Sequence, residues 1–157
     1  MAYTAILHEE WMRNLLANRP DVSKAAIESI RDKMDANVRD AVVENYSSLI
    51  AGLALPNPTD RHVLAAAIVG RADLIVTYNL KDFPSAALGP YGIEAQHPDE
   101  FLQHQLDLAP DHVLTVVRDL RTGLKSPPLS AEDYLKILER HGLAGFAAAL
   151  RAHHPAM

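Results

Sequence analysis

Apolar residues recur every three to four positions in AILHEEWMRNLLAN. Leu7, Trp11 and Leu15 share one face, and Met12 and Leu16 widen it. That period predicts an amphipathic helix, ended at Arg19-Pro20. Asp21 or Ser23 can cap a second helix in VSKAAIESIRDKMDANV, whose apolar positions are Ala26, Ile27, Ile30 and Met34. Ala41-Val42-Val43 reads as a short strand, and the residues after it as a loop closed by Pro56 and Pro58.

The pattern sharpens in the middle. Thr59-Asp60 precedes RHVLAAAIVG, a compact helix stopped by Gly70, and its Ala65-Ala66-Ala67 run offers a smooth face for close packing. Leu74 to Thr77 follows as a continuous apolar run, which predicts a strand buried on both faces. After YNLKDFP come a short helical piece, SAALG, a turn at Gly89-Pro90-Tyr91-Gly92, and a second strand at Ile93 to Gln96. Pro98-Asp99-Glu100 then opens a helix through FLQHQL. Helix alternating with strand is the signature of an α/β unit with a parallel sheet.

Beyond about Pro110 the pattern is helical throughout. Val113, Val116, Val117, Leu120 and Leu124 form one stripe, broken at Lys125-Ser126-Pro127-Pro128. Ser130 to Asp133 resembles a capping box with Asp in place of Glu. Tyr134, Leu135 and Leu138 continue that helix to Gly142, and LAGFAAALRAHH makes the last one.

Composition narrows the chemistry. The 157 residues include no Cys, which excludes thiol catalysis and Cys-based zinc sites. Fifteen basic residues against twenty acidic ones give a formal charge of −5, unlike a protein that grips duplex DNA by neutralising phosphates. No apolar run approaches the roughly 20 residues of a membrane helix, and no signal peptide is evident, so a cytoplasmic location is expected.

In an open parallel sheet, ligands sit beyond the carboxyl ends of the strands. Thr77, Asn79 and Asp82 fall at the end of the first strand, and Asp60 opens the helix before it, where free N–H groups favour an anion. Glu10 lies on the shoulder of the first helix's apolar stripe, beside Asn14, whereas Glu9 pairs with Arg13 as a solvated ion pair. Each acid taken singly is as readily a cap, a turn or a surface residue. Together they make an oxygen-rich set suited to Mg2+ or Mn2+. The eight His show no paired spacing, and His62, two residues from Asp60, diverges from it on a helical wheel. His8 and Arg13 are of a type that binds phosphate, but as lone surface residues they more often do nothing.

PTDRHVLAAAIVGRADLIVTYNLKDFP, followed by GPYGIEAQHPDEF, resembles the second half of a PIN domain, and the VapC-like bacterial group in particular. HEEWMRNLLANRP is similar to that family's glutamate-bearing helix, and the resemblance covers about Ile6 to Leu106. It implies a three-layer α/β/α fold over residues 1–108, with an all-helical C-terminal extension over 109–157. It implies a metal-dependent ribonuclease acting on single-stranded RNA, with the role of a toxin neutralised by a partner antitoxin. Glu10, Asp60 and Asp82 would hold Mg2+ or Mn2+, with Asn79, Thr77 and Asn14 positioning water or substrate. The family's first apolar strand and its aspartate have no counterpart in Met1 to Ala5. A homodimer or strand exchange is therefore expected to cover the gap. The alternative reading is a non-catalytic PIN-like binding or assembly module, or an inactive shortened fragment.

Overall fold

The structure is a computed structural model that describes residues 5–19, 21–37, 42–124 and 128–153. The segment before the first helix, Ala41 of the expected early strand, the break at Lys125 to Pro127, and His154 lie outside these residues. The chain divides into two compact units. One comprises Met1–Ile75 and Asn79–Ala95, the other Val76–Tyr78 and Gln96–Met157.

The first unit begins with α1 (Ala5–Asn18) and α2 (Lys24–Asn37), both where the apolar period places them. Ser23 caps α2, its hydroxyl accepting from the Ala26 N–H at 3.2 Å. Val42 is an isolated bridge residue rather than part of a described strand. One helical turn, α3 (Ser47–Ile50), interrupts the segment expected to be loop. A four-residue turn shows no period, so no pattern announces it. A 3-10 turn at Pro58–Asp60 leads into α4 (Arg61–Val69), which stops at Gly70 as predicted.

Strand β1 (Leu74–Val76) follows, then α5 (Ser85–Leu88) and strand β2 (Glu94–Gln96). The Glu94 N–H donates to the Asp73 carbonyl and the Thr77 N–H to the Gln96 carbonyl, so the two strands run parallel. Among the described residues the sheet has these two strands alone. The expectation that β1 is buried on both faces is corrected. Ile75 is buried, but Val76 is 43% exposed. The apolar run predicts double-sided burial because such runs usually lie inside wide sheets; here β1 has one described strand neighbour. Ile75 packs with Leu64, Ala65, Ala66, Ala67, Phe83 and Ile93 in the core of this unit.

The second unit is helical: α6 (Pro98–Leu108), α7 (Pro110–Gly123), α8 (Ala131–Arg140) and α9 (Ala144–Arg151). Leu106, Leu114, Val117, Leu135, Phe146 and Leu150 are among its core residues. Ser130 caps α8, accepting from the Asp133 N–H at 3.1 Å. The Asp133 carboxylate accepts from the Ser130 hydroxyl at 2.7 Å, a contact between side chains. In a standard capping box the longer Glu reaches the cap's backbone N–H instead.

Leu143 precedes α9 and has no side chain able to cap it. Asp99 of α6 supplies the cap, accepting from the Gly145 and Phe146 N–H groups at 3.0 and 2.8 Å. Asp99 thus serves packing, in line with its reading as part of a helix start. A Cβ at Gly145 would lie 2.7 Å from Asp99 Oδ2, so the carboxylate fits because residue 145 is glycine. The whole molecule is mixed α/β and mostly helical, and no described helix is long and apolar enough to cross a membrane.

Candidate functional site

The expected acidic residues all belong to the first unit, in three local settings. Glu10 is on α1, with its side chain 39% exposed. Asp60 is the residue immediately before α4. Its carboxylate makes no capping hydrogen bond, because the 3-10 turn of Pro58–Asp60 brings it into αR backbone and Asn57 takes the capping role. Asn57 accepts from the Thr59 N–H at 3.2 Å and donates through Nδ2 to Asp60 Oδ2 at 3.2 Å. The Thr59 hydroxyl donates to Asn57 Oδ1 at 2.8 Å. Asp60 is therefore held at a fixed place by its neighbours rather than consumed as a helix cap.

His62 joins these elements. It lies on the face of α4 that also carries Ala65 and Ala66, and it is buried. Its Nδ1 is 2.7 Å from the Thr59 carbonyl oxygen, so Nδ1 carries the proton and donates it. Its Nε2 is 3.6 Å from Glu10 Oε2. Glu10, His62, Thr59, Asn57 and Asp60 thus form one run of contacts between α1 and the start of α4. Sequence reasoning set His62 aside by comparing it with Asp60 on a helical wheel. Its relevant neighbour is Glu10, far away in sequence. A signal was present: a His three and four residues before buried alanines faces the core and needs a polar partner there.

Asp82 lies in a 3-10 turn at Leu80–Asp82, anchored by the buried Phe83. Its carboxylate accepts from the Asn79 side-chain amide. Asn79 therefore orients an acid, a local role that its three-residue spacing allows. Thr77 pairs through its N–H with Gln96 as part of the strand ladder. Asn14 is exposed on α1, one turn beyond Glu10, and its carbonyl accepts from Asn18.

His8 is corrected from a surface residue to a buried one. Trp11 Nε1 donates to its Nδ1 at 2.8 Å, leaving the proton on Nε2, which meets Asp35 of α2 at 3.1 Å. The hydrogen-bonding ring replaces the apolar contact that helical packing would otherwise place there. His8 ties α1 to α2 and is not an anion ligand.

The resemblance implies a divalent ion, and the donor types suit one. Among the described residues, however, no three His, Asp or Glu side chains gather closely enough to hold a metal. Glu10, Asp60 and Asp82 do not make a closed carboxylate cage, so no chemical step is drawn through one.

Comparison with known proteins agrees with the sequence motifs. The family described as the VapC50 C-terminal domain matches residues 98–152, a span that begins with α6 and ends just after α9. A protein of Mycobacterium tuberculosis named "Putative ribonuclease VapC50" is 43% identical over 110 residues. That match covers 70% of this chain and 64% of the relative, so the chain spans less than two thirds of that protein's length. No solved structure matches. A matched stretch of that length must include the middle of the chain, with Asp60, His62, Asn79 and Asp82. On the identity of that stretch and the match of its C-terminal helices, the chain is similar to the VapC-like PIN family.

Proposed function

We propose that this protein is a ribonuclease that hydrolyses phosphodiester bonds of single-stranded RNA, and that it acts as the toxin of a toxin–antitoxin pair. The observation that carries the reading is the 43% identity over 110 residues to a protein named as a ribonuclease. Hydrolysis at phosphorus needs an oriented water, an acceptor for its proton and a fixed phosphate. Glu10, half-exposed beside His62, is the proton acceptor in this reading. Asp60 and Asp82, steadied by the amides of Asn57 and Asn79, orient water on the attacking side. Thr77 and Asn14 are second-rank positioning residues.

Mg2+ or Mn2+ belongs to the proposal as a requirement of the reaction, supplying positive charge to the phosphate when bound. The proposed arrangement is the three-layer α/β/α fold of the family, with a second copy or an exchanged strand completing the two-stranded sheet. A negatively charged chain gains little from general attraction to RNA, so binding rests on local contacts.

The test is cleavage of a labelled single-stranded RNA, with the matching duplex as control. Asp60→Asn and Asp82→Asn are each expected to lower the rate by about 10²-fold or more, on the scale of a lost catalytic group. Chelation of divalent ions is expected to stop cleavage. Equal cleavage by wild type and Asp60→Asn would sink the proposal. A second reading, a non-catalytic binding module, is favoured by the absence of a three-ligand cluster among the described residues. It predicts RNA or protein binding without turnover.

A further inference from the structure

Tyr78 lies two residues beyond β1, at the strand end where open parallel sheets bind their ligands. Among the described residues it is the most exposed aromatic ring, at 59%. It is nevertheless held at three places, all within the helical unit. Its hydroxyl donates to the carbonyl of His141, the residue after α8, at 3.1 Å. The ring stands edge to face with the His97 ring, centroids 5.1 Å apart and planes at 88°. A methyl group at Gly142 would touch its Cε1 at 3.5 Å, so one ring edge lies along the turn after α8. His97 is itself fixed, because its Nδ1 accepts from the Asp99 N–H at 3.2 Å at the start of α6.

An exposed side chain ordinarily keeps its rotamer freedom and lets water serve its hydroxyl. Here that freedom is gone while a flat apolar surface remains in water. A perpendicular neighbour covers at most one face of a ring, so the other face stays open. A ring fixed in advance spares a flat ligand the cost of ordering it.

Single-stranded RNA offers such ligands. Its unstacked bases dock on aromatic side chains, and every base presents a π-face. A formal charge of −5 gives phosphates little general attraction, so stacking has to supply part of the binding. The peptide bond holds the Cα of Tyr78 about 3.8 Å from that of Asn79, whose amide steadies Asp82. Chain connection alone therefore brings a base on the ring to the start of the turn that carries Asp82.

We propose that Tyr78 is a nucleobase-stacking residue for single-stranded RNA, and that the C-terminal helices hold its ring in place through His141 and His97. The inference deepens the nuclease reading and rests on it for the identity of the ligand. It also gives the helical extension a part in substrate binding.

The full chain is mixed with a labelled single-stranded RNA in EDTA, and affinity is read by fluorescence anisotropy. Tyr78→Leu is expected to weaken binding about ten-fold, the scale of one lost base–aromatic stack. Tyr78→Phe keeps the face and loses the hydroxyl anchor, so a loss of about three-fold or less is expected, the low end of the cost of ordering one side chain. Both replacements are at an exposed position and keep the fold, as thermal melting checks.

The same RNA carrying 2-aminopurine at successive positions locates the stacked base by its quenching on binding. An abasic nucleotide at that position is expected to weaken the wild type about ten-fold and to cost Tyr78→Leu nothing further. A merely structural role for Tyr78 would not produce that coupling. Equal affinity of wild type and Tyr78→Leu, a loss in Tyr78→Phe as large as in Tyr78→Leu, or an abasic loss that persists in Tyr78→Leu would each overturn the assignment. Cleavage on adding Mn2+ is scored separately. Coupling without cleavage removes the nuclease reading alone, and cleavage without coupling removes the stacking role alone.

Discussion

Helices α1 and α2 have fourteen residues each, whereas α8 and α9 have ten and eight, yet the shorter pair is the better buried. Among the described residues of α1 and α2, only His8 and Ile27 are buried. Those helices are linked by the polar Trp11–His8–Asp35 contacts, and an open cleft of about 550 Å3 lies along Met12, Leu16 and Arg31. Helices α8 and α9 bury Leu135, Phe146, Ala147 and Leu150. Arg151 adds ion pairs to Glu132 and Glu139 at 3.1 and 2.8 Å. Helix length therefore says little about how firmly a helix is held; the apolar area removed from water decides it. The candidate Glu10 sits in the less firmly packed pair, as binding elements often do.

The contrast predicts a ranking of damage. Leu135→Ala, at a fully buried position in α8, is expected to cost about 3 kcal/mol through lost burial and the cavity left behind. Urea denaturation followed by circular dichroism measures it, and a cost below that of any α1 substitution would break the comparison. Asp99→Ala comes next. It strips two charge-assisted bonds from the start of α9, and a loss of about 2 kcal/mol is expected in the same assay.

His8→Ala should be milder, about 1 kcal/mol, because water entering the cleft can replace its partners on Trp11 and Asp35. A loss as large as that of Leu135→Ala would show that polar links hold α1 as firmly as packing holds α8. The smallest effect concerns acid. The Ser130 hydroxyl holds the Asp133 carboxyl below its ordinary range. Because the folded value is depressed, its stabilising contribution is present above the unfolded value and is lost as pH falls through the folded one. Ser130→Ala is expected to return Asp133 toward ordinary titration, as read by NMR, with stability at neutral pH little changed.

The ends of α1 and α4 were legible because a 3.6-residue period and a Gly70 stop act locally. Their neighbours need no tertiary information. The exposure of Val76 was not legible, since an apolar run reports what a strand prefers and not how many strands lie beside it. Asp60, Asn79 and Asp82 could be singled out from their places at a helix start and a strand end. Their partners could not all be found the same way. Asn57 and Asn79 lie three residues from the acids they steady, within reach of local reasoning. Glu10 and His62 meet across most of the first unit's sequence, and no spacing rule encodes that meeting. Likewise, Asp99 reads locally as a helix opener, while its bonds to Gly145 and Phe146 arise only when the bundle closes.

Gly145 carries a consequence for the mutational tolerance of the C-terminal helices. A methyl group there would press on the ends of the Asp99 and Gln103 side chains, and those ends would have to swing away. A saturation library at this codon should therefore favour glycine, because any side chain there displaces the carboxylate that caps α9, while the exposed Ala144 and Ala148 accept a wider choice. The bare backbone of residue 145 thus lets a side chain from another helix dock directly on its N–H.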